Sequence, residues 1–250
     1  MAMPATRRRK PPVPHAGQCV LGVDGCRAGW AAVRINLYDN SVSGFMAAAF
    51  TDILAIADAA MIMVDMPIGL ADTGPRACEA MARKRLSPLR HSSVFSPPRR
   101  KMLSFSRYED ANGWGKKNDG KGLSKQAWMI APKIREIDEA VTPEDQIRLG
   151  EAHPEVAFSR LNDDKPCAHP KRTAEGQAER RALLMRAGIA DAERIYAGLR
   201  KQHGAKAIAH DDVYDACALA LTAKARLDGS AIRLSDDARD ARGLVMEIWG

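Results

Sequence analysis

Five carboxylates stand at positions where a charge is costly unless something offsets it. Asp24 follows the apolar run Cys19-Val20-Leu21-Gly22-Val23, and Asp65 follows Met61-Ile62-Met63-Val64. Glu155 lies in His153-Pro154-Glu155-Val156-Ala157-Phe158, just before an amphipathic turn. Asp212 and Asp215 belong to Asp211-Asp212-Val213-Tyr214-Asp215-Ala216-Cys217-Ala218-Leu219-Ala220, a helix whose small and apolar residues run almost all the way round. Acids near a helix N-terminus serve its dipole, which is the ordinary explanation for Asp211 and Asp212. Asp215 fits that explanation poorly: it sits inside the apolar run, one turn beyond Asp212 and on the same face. An aspartate at a strand end, taken alone, is most often a turn-capping group. Carboxylates gathered from several elements repel one another unless a cation lies between them, and Mg2+ or Mn2+ suits an all-oxygen site. His153 is a candidate ligand or acid–base group, with a hydrogen-bonded structural histidine the more ordinary role.

The elements that must position these acids are legible in part. Cys19 to Leu37 reads as a hairpin, with Gly25 and Gly29 bracketing the turn and Trp30 to Leu37 alternating like a strand covered on one face. Val42 to Phe50 reads as a third strand, and Thr51 as the cap of a short helix over Asp52 to Ala59. Met61 to Gly69 is a continuous apolar run, the mark of a strand buried on both faces in a parallel sheet, and Pro67 stops its ladder. Ligands of open α/β sheets bind beyond the carboxyl ends of the strands. If the two apolar strands are neighbours, Asp24 and Asp65 lie side by side there. Further helices are predicted over Arg76–Leu86, over Ser124–Ala140 with a kink at Pro132 and Trp128, Ile130, Ile134 and Ile137 inward, and over Glu175–Arg186 and Asp191–Lys201. Ser87–Pro98 reads as a Ser/Pro loop, and the Gly/Lys-rich stretch Lys116–Lys125 as mobile.

A chain of 250 residues with 46% hydrophobic residues is long enough for one large α/β domain with an inserted helical lobe, here about residues 73–148. Residues 18–250 are expected to form that domain, and the Pro-rich segment 1–17 to be disordered. Of the net charge of +7, residues 1–17 supply +4 and the body +3, so the body is only mildly basic. Distribution says more. Residues 80–101 carry Arg83, Lys84, Arg85, Arg90, Arg99, Arg100 and Lys101 without one acid. That stretch is either a solvated helix end or a phosphate-gripping loop, with Arg90, Arg99 and Arg100 the foremost candidates. Aromatic residues make up 5%, too few to advertise a base-stacking platform. The five cysteines are odd in number and never spaced C-x-x-C, which argues against a zinc ribbon or a disulfide framework and for a reducing compartment. Cys167 and His169 lack a second pair for a metal knuckle. No apolar run approaches membrane-spanning length, and the stretch after Arg7-Arg8-Arg9-Lys10 is too short for a signal peptide, so no membrane partner is expected and a cytoplasmic location is. There is neither a P-loop nor a G-x-G-x-x-G.

The segments VLGVDGCRAGW, MVDMPIGL, PRACEAMAR, HSSVFSPPRR, HPEVAF, KRTAEGQAERRALL and DDVYDACALALTA resemble the DUF429 family of predicted RNase H-like nucleases. They stand in the family's order and cover about Gln18 to Trp249. The resemblance implies an RNase H-like α/β fold: a mixed sheet, antiparallel hairpins first and then parallel strands, with helices on both faces. It implies a catalytic set of Asp24, Asp65, Glu155, Asp212 and Asp215, with Asp24, Asp65, Asp212 and Asp215 as metal ligands and Glu155 a family-specific acid. The D-x-x-D-A-x-A-x-A run from Asp212 is similar to that of Holliday-junction resolvases. The chemistry implied is two-metal hydrolysis of phosphodiester bonds with Mg2+ or Mn2+, Asp24 bridging both ions, on DNA or RNA. Arg76, Arg83, Ser92, Arg99, Lys171 and Arg180 fall in the matching motifs as substrate-binding candidates, and Arg90 of the basic stretch, directly before one of them, joins them. Glu79 stands where the family more often has Asp. Two alternatives share the fold. An actin-like or sugar-kinase-like ATPase would need a second phosphate-gripping hairpin and an adenosine-binding segment, and neither is found. A non-catalytic nucleic-acid-binding protein would keep the fold with a degenerate site.

Overall fold

Alternation and turn glycines build the first hairpin. In the computed structural model, which describes residues 17–250, β1 (Cys19–Cys26) pairs antiparallel with β2 (Gly29–Asn36). β3 (Val42–Ala47) pairs antiparallel on the far side of β2. The segment 1–17 expected to be disordered lies, apart from Gly17, outside the described residues. β4 (Ala59–Val64) and then β5 (Leu149–Glu151) run parallel on the other side of β1, giving the order β3-β2-β1-β4-β5. This is an α/β fold with the mixed sheet of an RNase H-like protein. Two short strands near the C-terminus, β6 (Arg233–Leu234) and β7 (Ile248–Trp249), form a separate ribbon.

Strand parity divides the core in two. Leu21, Val23, Ile62 and Val64 point to one face, where α1 (Phe50–Leu54) and α4 (Lys125–Ala140) supply Ile53, Ile134 and Ile137. Val20, Val33, Met61 and Met63 point to the other, which α5 (Pro154–Leu161), α6 (Ala174–Arg186), α7 (Ala192–His203) and α8 (His210–Asp228) cover. Helices therefore lie on both faces. Gly22 is what lets α8 lie flat on β1. A Cβ there would stand 2.0 Å from the Ala216 carbonyl oxygen and 2.1 Å from the Ala220 nitrogen.

The remaining elements depart from the sequence expectation in places. β3 stops at Ala47 rather than Phe50, and α1 is a single turn starting at Phe50, with Ala49 rather than Thr51 before it. Glu136 of α4 accepts from the Phe50 amide and from the Trp30 indole (3.1 Å), while Asp52 accepts from the Ala49 amide at 3.0 Å. β4 likewise ends at Val64, just before Asp65. Between β4 and β5 come α2 (Ala77–Leu86), α3 (Tyr108–Asp119) and α4. The stretch read as mobile is half helix: α3 runs to Asp119 and ends on Gly120 in the left-handed region. Asn112 then pins the following strand of chain by accepting from the Leu123 amide at 3.0 Å.

Candidate functional site

Register and parity bring the first two acids together. Val23 of β1 stands opposite Val64 of β4, and the Asp65 amide donates to the Val23 carbonyl at 2.9 Å. Asp24 and Asp65 therefore follow one another across the ladder, both on the α8 face. Asp215 reaches the same place from α8, which Gly22 allows to approach. One carboxylate oxygen from each of Asp24, Asp65 and Asp215 lies within 4.8 Å of the others. Asp24 is 8% exposed and Asp215 1%. Burial above all raises all three pKa values, and for Asp24 and Asp65 the neighbouring aspartates add to it. Asp24 is held well above the usual carboxylate range, Asp65 is pushed up to about 8, and Asp215 is raised by burial against the pull of Lys171.

Asp65 and Asp215 face a cleft of about 350 Å3, together with His153, Glu155 and Lys171. Glu155 sits in the first turn of α5, behind Pro154 at the start of the helix. Its Oε1 accepts from Arg180 at 2.5 Å, whereas its Oε2 is buried without a partner among the described residues. Asp215 Oδ1 is in the same condition. His153 caps α5, its Nδ1 accepting from the Glu155 amide at 3.2 Å, and burial lowers its pKa, so it is a neutral structural imidazole at the cleft wall. Asp212 stands apart from the three clustered acids. Its carboxylate accepts from the Ala209 amide at 2.8 Å, the ordinary role of an acid in a first turn, and burial pushes its pKa up to about 6.

The basic candidates separate into two groups. Arg90, Ser92 and Lys171 line the cleft. Arg76, Arg83, Arg99 and Arg180 turn into the protein instead, three of them at 6% exposure or less. A buried guanidinium needs partners, and each has found them. Arg76 pairs with Glu79 and with both oxygens of Glu151 (2.6 and 2.9 Å), and also donates to the carbonyls of Ile68 and Gly69. Arg83 donates to the Val94 carbonyl and Ser96 Oγ, and Arg99 pairs with Asp119 at 2.5 Å. Arg90 lines the cleft with its donors already engaged by the carbonyls of Cys167 and Ala168.

Sequence reasoning gave three groups that matter here no part in the site. Glu151 lies on β5, which at three residues has no readable period, and its carboxylate holds the turn after Asp65 through the Ile68 amide at 2.8 Å. Asp211 shares Lys171 with Asp215. Lys133 of α4 lies over the Trp30 ring and donates to the Gly29 carbonyl at 2.6 Å, placing a second ammonium near the end of β1.

The matching family is described as "Protein of unknown function (DUF429)", and the match runs over residues 22–240. No curated protein and no solved structure matches the chain. The matched span starts inside β1, passes through every strand of the main sheet and α8, and contains Asp24, Asp65, Glu155, Asp212 and Asp215. A sheet whose central strands end in two aspartates, met by a third from the last long helix, is thus the framework of a chain that belongs to the DUF429 family.

Proposed function

We propose that the protein is a divalent-metal-dependent phosphodiesterase acting on nucleic acid. The observation that carries this reading is the gathering of Asp24, Asp65 and Asp215 from three elements to within 4.8 Å, at the carboxyl ends of two parallel strands. Their chemistry fits Mg2+ or Mn2+: hard oxygen donors, no sulfur among the three, and two buried carboxylate oxygens, Asp215 Oδ1 and Glu155 Oε2, that find no partner among the described residues. A divalent ion bound there supplies Lewis acidity toward the phosphate and toward an attacking water. The chain's own groups do the rest. Asp24, Asp65 and Asp215 hold the ion. Glu155 offers Oε2 at the cleft wall as acceptor for the proton that water gives up. Arg172, exposed on the cleft rim, meets the phosphate backbone.

The test is a cleavage screen with Mg2+ and Mn2+ over single-stranded and duplex DNA, RNA, a hybrid and a four-way junction, with ATP in parallel. Metal-dependent cleavage of at least one substrate is expected, and Asp24→Asn should lower it by about 100-fold or more. ATP turnover with every nucleic acid intact would move the assignment to a phosphotransferase. Inertness toward all of them would overturn it.

A further inference from the structure

The acidic cluster already has a cation. The Lys171 ammonium lies 2.6 Å from Asp215 Oδ2 and 3.3 Å from Asp211 Oδ2. It is no loose surface lysine, because the loop that carries it is clamped at successive residues. Arg90 donates to the carbonyls of Cys167 (2.9 Å) and Ala168 (2.7 Å). Glu179 accepts from the amides of Ala168 (2.8 Å) and His169 (3.0 Å), and Arg180 donates to the His169 carbonyl at 3.1 Å. Thr173, which caps α6, binds the Pro170 carbonyl through both its amide and its hydroxyl. Gly176 completes the fit, since a Cβ there would lie 1.9 Å from the same carbonyl oxygen. Arg90 and Arg180, two candidates for gripping substrate, thus build the loop that delivers Lys171.

Three of the five acids, for their part, are already partly engaged by groups of the protein itself. Two-ion sites place their metals about 3.5–4 Å apart and need carboxylates both between and outside them. Here Asp212 is turned to the Ala209 amide, Glu155 gives Oε1 to Arg180, and Asp215 gives Oδ2 to Lys171. Asp215 keeps one oxygen, Oδ1, beside the carboxylates of Asp24 and Asp65, and the three lie within reach of a single ion.

We propose that Lys171 is a resident cation of the site: its ammonium takes the place of one divalent ion, so that the protein binds a single Mg2+ or Mn2+ and faces the phosphate with one metal and one lysine. This rests on the metal-dependent reading above. Lys171 thereby acts as a positioning and charge-supplying residue rather than as a surface grip on the backbone.

The test is Mn2+ alone, titrated into the full chain by calorimetry, with the bound ion examined by electron paramagnetic resonance. One Mn2+ per chain, with the lines of an isolated ion, is expected for the wild type. Lys171→Met should take up two, with the lines of a spin-coupled pair, and Lys171→Arg should return to one. Two ions in the wild type, or a single ion in Lys171→Met, would overturn the role of Lys171 while leaving the metal site standing. No uptake by any of the three would overturn the metal reading and this assignment with it. The wild-type count needs no variant to fold.

Discussion

Asp65 illustrates what a metal-free site costs. Burial first, and the Asp215 charge second, push its pKa up to about 8, whereas an unfolded chain would ionise it near 4. A carboxyl whose folded pKa is raised favours the folded state while it stays protonated, and that contribution is lost as pH rises from the unfolded value through the folded one. With chelator present, the melting temperature is therefore expected to fall between pH 5 and pH 8. One such group contributes up to about 1.4 kcal/mol per pH unit, or roughly 2–4 °C per kcal/mol for a chain of this size. Asp65→Asn should lessen that fall, and Mn2+ should raise the wild-type melt most at the upper end by binding the folded state. A chelated protein with a level profile would show that these acids ionise freely. Asp24→Asn should remove most of the Mn2+ shift in the same melts, and a variant that still responds fully would sink the ligand set. At this scale much was legible in the sequence, because an acid at the end of an apolar run shows in one dimension. The partner each acid chooses does not. Asp212 takes a backbone amide three residues back, and Glu155 takes Arg180, 25 residues on.

At the scale of elements, the site depends on how closely α8 meets β1. Gly22→Ala would drive a methyl group into the backbone of α8 at Ala216 and Ala220. A loss of about 1–3 kcal/mol or more is expected, together with loss of Mn2+ binding, because the helix that carries Asp215 must move away. Chemical denaturation beside a metal titration checks both. The turn after β4 has its own anchor in Arg76, Glu79 and Glu151. Arg76→Ala leaves two carboxylates buried without their cation and should cost about 3–5 kcal/mol. Arg76→Lys should recover little, since Lys cannot reproduce the fork that meets Glu151 through two nitrogens. The hairpin, β4 and α8 could be read from the sequence because each carries a clean period of its own. α3, with the composition Tyr-Glu-Asp-Ala-Asn-Gly-Trp-Gly-Lys-Lys-Asn-Asp, is rich in the poor helix formers Gly, Asn and Asp and is held by Met102, Leu123 and Ala127 from other segments. β5 is too short for any pattern, and its place is fixed by pairing to β4.

For the molecule as a whole, the basic stretch 80–101 proves to be structural cement. Arg85 meets Asp164, Arg99 meets Asp119, and Arg100 meets both Asp138 and Asp240. Sequence exposes a run of like charges, but its counter-charges lie 20 to 140 residues away and become visible only in the fold. On the phosphodiesterase reading proposed above, contact with a polyanion is assigned to the cleft rim. Arg172→Ala is expected to reduce the slope of log affinity against log salt by about 1 unit for a nucleic acid ligand. Arg99→Ala should lower the melting temperature and leave that slope unchanged. Affinities at several salt concentrations, measured beside thermal melts, distinguish the two, and the reverse pattern would return Arg99 to the binding surface.

The docking of α8 on β1 also sets a clock. A ribosome releases Asp24 and Asp65 early and Asp215 near the end, and the three meet only when the last long helix settles on the first strand. Until then the nascent chain has scattered acids and no site. On the phosphodiesterase reading proposed above, a nascent chain lying against ribosomal RNA would carry no cutting site until that helix has docked.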